Sequence, residues 1–371
     1  MNNLELFRSI AKNPNGYAEG LKKERGGKIV GYFCSYAPEE IISAAGAVPF
    51  RIFGKGDIAL ADAHLQAYSC SLVRGALEDA LSGGLEFLDG VVFPHTCDSI
   101  QRLSDIWRMN AGTGFHIDVV LPVKLDADSS KEYMTDVMKK FVRDIEKSLG
   151  VSISADSLRA CAEKYNRIRK YLKKIFEIRS KNPAVIRSSD VHAIIKASMV
   201  MDRDLLLKEL ASLVEELQKE PEKGKPAGKR IVLAGGICNL PDIYSLIEDS
   251  GGDVVWDDFC TGSRYFEGAI DLNGDVVQSI AERYSNRVVC PAKHSGLFPR
   301  GEHLVKIAKE NNAKGVIFLF LKFCDPHSFD YPYIKEMLDR EGIPSMLFEI
   351  EEQLPSEGQF KTRCEAFLEM L

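Results

Sequence analysis

Gly315 to Pro326 reads GVIFLFLKFCDP, and this stretch decides the fold. Val316 to Leu321 is an unbroken apolar run, the signature of a strand buried on both faces. Strands of that kind belong to parallel sheets covered by helices on each side. The run does not end in an ordinary polar turn. It delivers Cys324 at its carboxyl end, followed at once by Asp325 and Pro326.

Working outward, the same alternation recurs. Towards the N-terminus, GKIVGYFCSY (27–36), VPFRIFG (48–54), LDGVVFPHTCD (88–98) and FHIDVVLPV (115–123) read as strands. Between them, PEEIISAAGA (38–47) reads as a helix with Pro38 in its first turn, and SIQRLSDIWRMN (99–110) as an amphipathic helix. From Ser129 to Lys219 the pattern turns helical, as in SLRACAEKYNRIRKYLKKIFEIRS (157–180). KEPEKGKPAGKR (219–230) is charged and rich in Pro and Gly, a hinge. A second alternation follows. RIVLAGGICN, DVVWDDFCTG, GVIFLFLKFC and PSMLFEIE read as strands; PDIYSLIEDSGG, DVVQSIAERYSN, HLVKIAKENNA, PYIKEMLDREGI and GQFKTRCEAFLEML read as helices. The expected architecture is α/β, two doubly wound parallel-sheet domains of the Rossmann or flavodoxin-like kind with a helical connector. The expected boundaries are 1–128, 129–226 and 227–371.

Composition narrows the function. A chain of 371 residues is too long for one ordinary core and suits two such units. The formal net charge of −6, with no basic stripe, argues against nucleic-acid binding. No apolar run approaches a membrane span, and MNNLELFRSIAKN lacks the apolar centre of a signal peptide, so a cytoplasmic protein is expected. The nine cysteines should then stay reduced, available for packing, catalysis or metal binding. GKPAGKR lacks the spacing and the hydroxyl residue of a P-loop and precedes a strand, so ATP hydrolysis is not expected of this chain.

The cysteines follow the strands. Cys34, Cys97, Cys260 and Cys324 come just after apolar runs, Cys238 ends IVLAGGI and Cys290 ends the short run RVV. Carboxyl ends of strands form the ligand crevice of open α/β sheets. Cys70, in AYSCSLVR, sits at a helix start, where the helix dipole favours a thiolate. A free cysteine is more often a small core residue than a ligand. That reading suits Cys161 and Cys364 inside amphipathic helices and stands level with ligation for Cys238. For Cys70, Cys97 and Cys324, placement at loop ends beside polar or Pro residues favours ligation. No C-x-x-C or C-x-x-H pair marks a structural zinc site. Widely spaced single cysteines gathered by the fold better suit an iron–sulfur cluster, and three thiolates per cluster leave one iron open.

PEEIISAAGAVPFRIFG, AYSCSLVR, LDGVVFPHTCDSIQRLSDIW, FLKFCDPHSFDYP and the closing GQFKTRCEAFLEML together resemble the 2-hydroxyacyl-CoA dehydratase and benzoyl-CoA reductase family, in the size range of its smaller subunit. The resemblance implies a 4Fe-4S cluster held by Cys70, Cys97 and Cys324. It also implies a separate ATP-dependent activator iron–sulfur protein, a homologous partner subunit and an acyl-CoA substrate. An injected low-potential electron would then drive radical dehydration or ring reduction. WDDFCTGSRYFEG with AERYSNRVVC, and Cys34 in GYFCSYAPEEI, also resemble the double-cubane-cluster reductases of the same superfamily. Those homodimers use six cysteines, here Cys34, Cys70, Cys97, Cys260, Cys290 and Cys324, and act on small molecules. A third expectation is a non-catalytic electron-relay subunit. Among neighbouring residues, Asp98 and Asp325 read as capping or supporting groups and His95 as a loop histidine or proton carrier. Arg264 reads as an anion holder or the partner of Glu267 or Asp258, and Trp107 as core.

Overall fold

The computed structural model describes residues 2–54, 57–219, 228–237, 239, 242–287, 290–351 and 357–371. Helices α1 (Asn2–Lys12) and α2 (Pro14–Arg25) lead in. The first α/β unit runs β1 (Lys28–Tyr32), α3 (Glu39–Ala44), β2 (Ala47–Arg51), α4 (Ser71–Leu81), β3 (Gly90–Pro94), α5 (Asp98–Asn110) and β4 (Phe115–Val119). Four helices follow: α6 (Asp128–Leu149), α7 (Ala155–Lys181), α8 (Ser188–Ser198) and α9 (Arg203–Lys219). Next come β5 (Lys229–Gly235), α10 (Asp242–Asp249), β6 (Gly252–Asp258), α11 (Ser263–Phe266), α12 (Val276–Asn286) and α13 (Pro299–Glu310). The chain closes with β7 (Gly315–Leu321), α14 (Asp325–Arg340), β8 (Ser345–Ile350) and α15 (Glu357–Met370).

Each unit holds a four-stranded, wholly parallel sheet, ordered β2-β1-β3-β4 and β6-β5-β7-β8. The two orders are the same permutation, so each sheet reverses direction of winding once, between β1 and β3 and between β5 and β7. A ligand crevice opens outside the carboxyl ends of such a pair. The inner strands carry the apolar runs: every residue of β3 is buried, as are six of the seven in β7. Helices cover both faces of both sheets, and the α/β doubly wound class expected from the sequence is the one observed.

Two features depart from simple chain order. Helix α12 follows β6 in sequence, yet Val276, Ile280, Ala281 and Tyr284 pack with α6 into the core under the first sheet. The segment after it is thereby carried to the first unit, where Lys124 and His294 form a parallel bridge. Helix α14 starts at Asp325, well before the Pro332 at which the periodic pattern becomes readable. Pro326 presets the first turn, whereas Pro332 lies inside the helix and lacks an N–H to donate. The hinge expected at 219–230 lies mostly outside the described residues.

A buried charge network joins the parts. Glu39 accepts hydrogen bonds from the hydroxyls of Tyr32 and, at 3.1 Å, Tyr265, and from Arg203 Nη2 at 3.2 Å. Glu40, fully buried, pairs with Arg169 and lies 3.8 Å from Arg283. These partners come from β1, α7, α9, α11 and α12, so two adjacent carboxylates at the start of α3 hold five elements. Removing one member of a buried pair leaves the other charge without a counterion, costing about 3–5 kcal/mol. We expect Glu40→Ala to lower stability by roughly that amount, read as an earlier urea midpoint with unchanged slope. A loss below about 1 kcal/mol, the range of a surface ion pair, would show the network to be dispensable.

Candidate functional site

Strand ends and helix starts place the thiols. Cys34 follows β1 in the left-handed region (φ 58°), and Phe323, just before Cys324, is left-handed too (φ 65°). Each costs roughly 1–2 kcal/mol for a residue with a Cβ, and each turns the chain sharply off its strand. Cys70, Cys97 and Cys324 are the N-cap residues of α4, α5 and α14. The sulfurs therefore lie against first-turn amides: Leu72 and Val73 for Cys70, Ser99 and Ile100 for Cys97, His327 for Cys324. Three helix N-termini, each a partial positive charge, face the same space.

That space is a cavity of about 90 Å³ lined by all six candidates: Cys34, Cys70, Cys97, Cys260, Cys290 and Cys324. Cys70, Cys97 and Cys324 also line a wider vestibule of about 750 Å³ that opens to solvent. The other three line the inner cavity and not the vestibule. Cys260 N donates to Gly236 O at 2.8 Å, tying the loop after β6 to the end of β5, and Cys290 arrives on the segment after α12. Cys161 lies half-buried in α7 and Cys364 buried in α15, away from the cavity. Cys238 lies outside the described residues.

Burial dominates the thiol chemistry. It pushes Cys97 and Cys290 up to about 12, and raises Cys70 and Cys324 as well. Mutual repulsion adds to it: Cys97 feels Cys70 and Cys34, Cys290 feels Cys260 and Cys34, and Cys324 feels Cys70 and Cys97. So many adjoining thiols ionise together only when a metal supplies positive charge, because a coordinating thiol is deprotonated outright. Among the described residues no three His, Cys, Asp or Glu side chains form a single-ion site. The sulfurs line a space between them instead, and this donor set suits a multinuclear iron–sulfur group.

Cations and donors surround the sulfurs. Arg264, buried, donates to Asp258 at 2.6 Å through Nε and reaches Cys260 Sγ at 3.5 Å through Nη1. Burial works against the charge of Asp258, yet Arg264 and Arg300 hold its carboxyl well below the usual range. Of the partners considered for Arg264, Asp258 is the one it takes. Lys293 is buried and donates to the carbonyls of His95 (3.1 Å) and Leu121 (3.4 Å), close to Cys34, Cys290 and Cys97. His95 Nε2 bonds Asp118 at 2.8 Å. Asp98 and Asp325 open α5 and α14, as helix-dipole partners do. Trp107 is core, its Nε1 donating to Thr113 at 2.7 Å. Arg51 and His327 lie within the resembling stretches PEEIISAAGAVPFRIFG and FLKFCDPHSFDYP, but nothing in those stretches marks them as site residues, and Lys293 lies in none of them. Packing brings Arg51 and His327 to the cavity and Lys293 to the vestibule.

A cavity at the switch points of two doubly wound parallel sheets, lined by six thiols, marks an α/β protein with its candidate site at the strand ends. The chain belongs to the family described as 2-hydroxyglutaryl-CoA dehydratase, D-component, whose model matches residues 34–371. It is 29% identical to the (R)-phenyllactyl-CoA dehydratase beta subunit of Clostridium sporogenes, covering 98% of this chain and 97% of that one. It is 26% identical to the beta subunit of the lactoyl-CoA dehydratase of Anaerotignum propionicum, covering 99% and 98%. Against one subunit of the benzoyl-CoA reductase of Thauera aromatica it is 28% identical, covering 88% and 86%. The expected family is thus the one found. No helix among the described residues is long and apolar enough to cross a membrane.

The raised thiol pKa values are testable without metal. In the metal-free protein, alkylation of Cys97 by iodoacetamide, followed by peptide mass spectrometry, should still be rising at the most alkaline pH the fold tolerates. Near pH 8 it should run roughly a thousandfold slower than in the unfolded chain, from the thiolate fractions at the two pKa values. A plateau near the ordinary thiol value would mean that the cavity does not desolvate this sulfur.

Proposed function

We propose that this protein is the iron–sulfur component of a 2-hydroxyacyl-CoA dehydratase or benzoyl-CoA reductase-type enzyme. It works in the cytoplasm with a homologous partner subunit or a second copy of itself. The observation that carries the reading is the single cavity lined by six thiols, which meets a large vestibule at Cys70, Cys97 and Cys324. Those three would hold a 4Fe-4S cluster, whose chemistry is one-electron transfer at low potential. The electron would come from an ATP-dependent activator, consistent with the absence of a P-loop in this sequence.

The remaining residues prepare the space. First-turn amides of α4, α5 and α14 favour anionic sulfur, Arg264 steadies Cys260, and Lys293 supplies a buried positive charge. Val120, Val123, Leu297, Phe323, Phe329 and Tyr333 give the vestibule an apolar wall that suits the acyl part of a thioester and displaces water around it.

A second reading has its own support. Cys34, Cys260 and Cys290 share the inner cavity with the other three, the arrangement a double cubane requires. Iron and sulfide counting on anaerobically purified protein separates the two, since one cubane needs half the iron of a pair. Cys260→Ser should lower the count only for the pair, and Cys161→Ser for neither. We expect no turnover of a 2-hydroxyacyl-CoA by this protein with ATP alone. Adding activator, reductant and partner subunit should yield an enoyl-CoA or a reduced ring. Cys324→Ala should abolish that turnover while the fold survives on its apolar cores. Turnover by an iron-free Cys324→Ala protein would overturn the electron-transfer reading. Reduction of small molecules without CoA or partner would put the double-cubane reading in its place.

A further inference from the structure

Two buried nitrogens in the cysteine cavity have no partner. Arg51, the last residue of β2, is 3% exposed, and its Nε makes no hydrogen bond among the described residues. No described carboxylate pairs with it; its guanidinium lies 5.8 Å from the centre of the Tyr32 ring. His327, in the first turn of α14, is 4% exposed, and its Nε2 is likewise unpaired. Its ring rests on Phe320. A side chain at Gly236 would come within 3.3 Å of that same Nε2, so glycine there leaves room for the imidazole. Both residues line the six-thiol cavity, and they approach it from the first and the second sheet respectively.

A buried donor left unpaired costs about 1–3 kcal/mol, and an uncompensated buried guanidinium costs several. Such groups are tolerated where a bound anion completes them. A thiolate-ligated iron–sulfur group is anionic and presents sulfur acceptors, and hydrogen bonds to its sulfurs raise its potential by stabilising the more negative, reduced state.

Building on the function proposed above, we propose that Arg51 and His327 donate hydrogen bonds from Nε and Nε2 to the sulfur of the group held by the cavity cysteines. They act as positioning residues that raise its reduction potential into the activator's reach. Arg51→Met and His327→Phe remove the donors at similar size, while Arg51→Lys and His327→Gln keep an N–H.

The test is a potentiometric titration followed by electron paramagnetic resonance on anaerobic protein, with iron and sulfide counted in each sample. We expect Met and Phe variants with full iron and a more negative midpoint. The reduced-to-oxidised ratio at fixed potential should fall at least tenfold, which is 59 mV for a one-electron couple. The Lys and Gln variants should lie closer to the parent. Iron loss in Arg51→Met that Arg51→Lys restores, in apo-protein with parental circular dichroism, also supports the assignment. Full iron with unmoved midpoints in Met and Phe variants overturns it, as does equal iron loss in Arg51→Met and Arg51→Lys. A parent protein without iron would instead overturn the function on which this inference rests.

Discussion

The pair Glu39–Glu40 is the constraint from which the rest of the site hangs. Two carboxylates leave water at the start of a helix of only six residues, and that is tolerable because Arg169, Arg203 and Arg283 arrive from three other helices. Tyrosine hydroxyls complete the set: Tyr32 and Tyr265 donate to Glu39, and Tyr284 donates to the carbonyl of Ala37 at 2.7 Å. Since an unmatched charge here is so costly, α7, α9, α11 and α12 have little freedom relative to β1. The network approaches the cavity through Arg51, which lines it. The ring of Tyr32 bonds Glu39 at one end and lies near Arg51 on its face.

With those elements held, the two sheets present their carboxyl ends to one space. Strands β1 and β3 flank the reversal of the first sheet and lead to Cys34 and Cys97; β7 flanks that of the second and leads to Cys324. Burial opposes thiolates throughout this region, while helix N-termini and nearby cations favour them. For Cys70, Cys97, Cys290 and Cys324 burial outweighs those favourable neighbours and raises the thiols.

Much of this was legible in the chain. The run from Val316 to Leu321 read as a doubly buried strand because its apolar pattern is continuous, and six of seven residues in β7 are buried. AYSCSLVR read as placing Cys70 at a helix start, and the residue is the N-cap of α4. Less legible was α14, where Pro332 masked a helix that begins at Asp325. Residues 2–25 form two helices to which the sequence reading assigned no element.

What the sequence by itself determined is local: parallel-sheet strands from unbroken apolar runs, helices from their periodicity, and thiols at the junctions between the two. These follow from burial and backbone geometry within a dozen residues, so no distant partner is needed to read them. The tertiary structure alone decided that α12 crosses to the first sheet and brings Cys290 towards Cys34, and that Cys260 faces the same cavity. It alone turned Arg51 and His327 towards that cavity and Lys293 towards the vestibule, although Lys293 and His327 each follow a cavity cysteine by three residues. A charge becomes part of a site through the counter-charges it meets after packing, and those meetings, hundreds of residues apart in sequence, leave no periodicity behind.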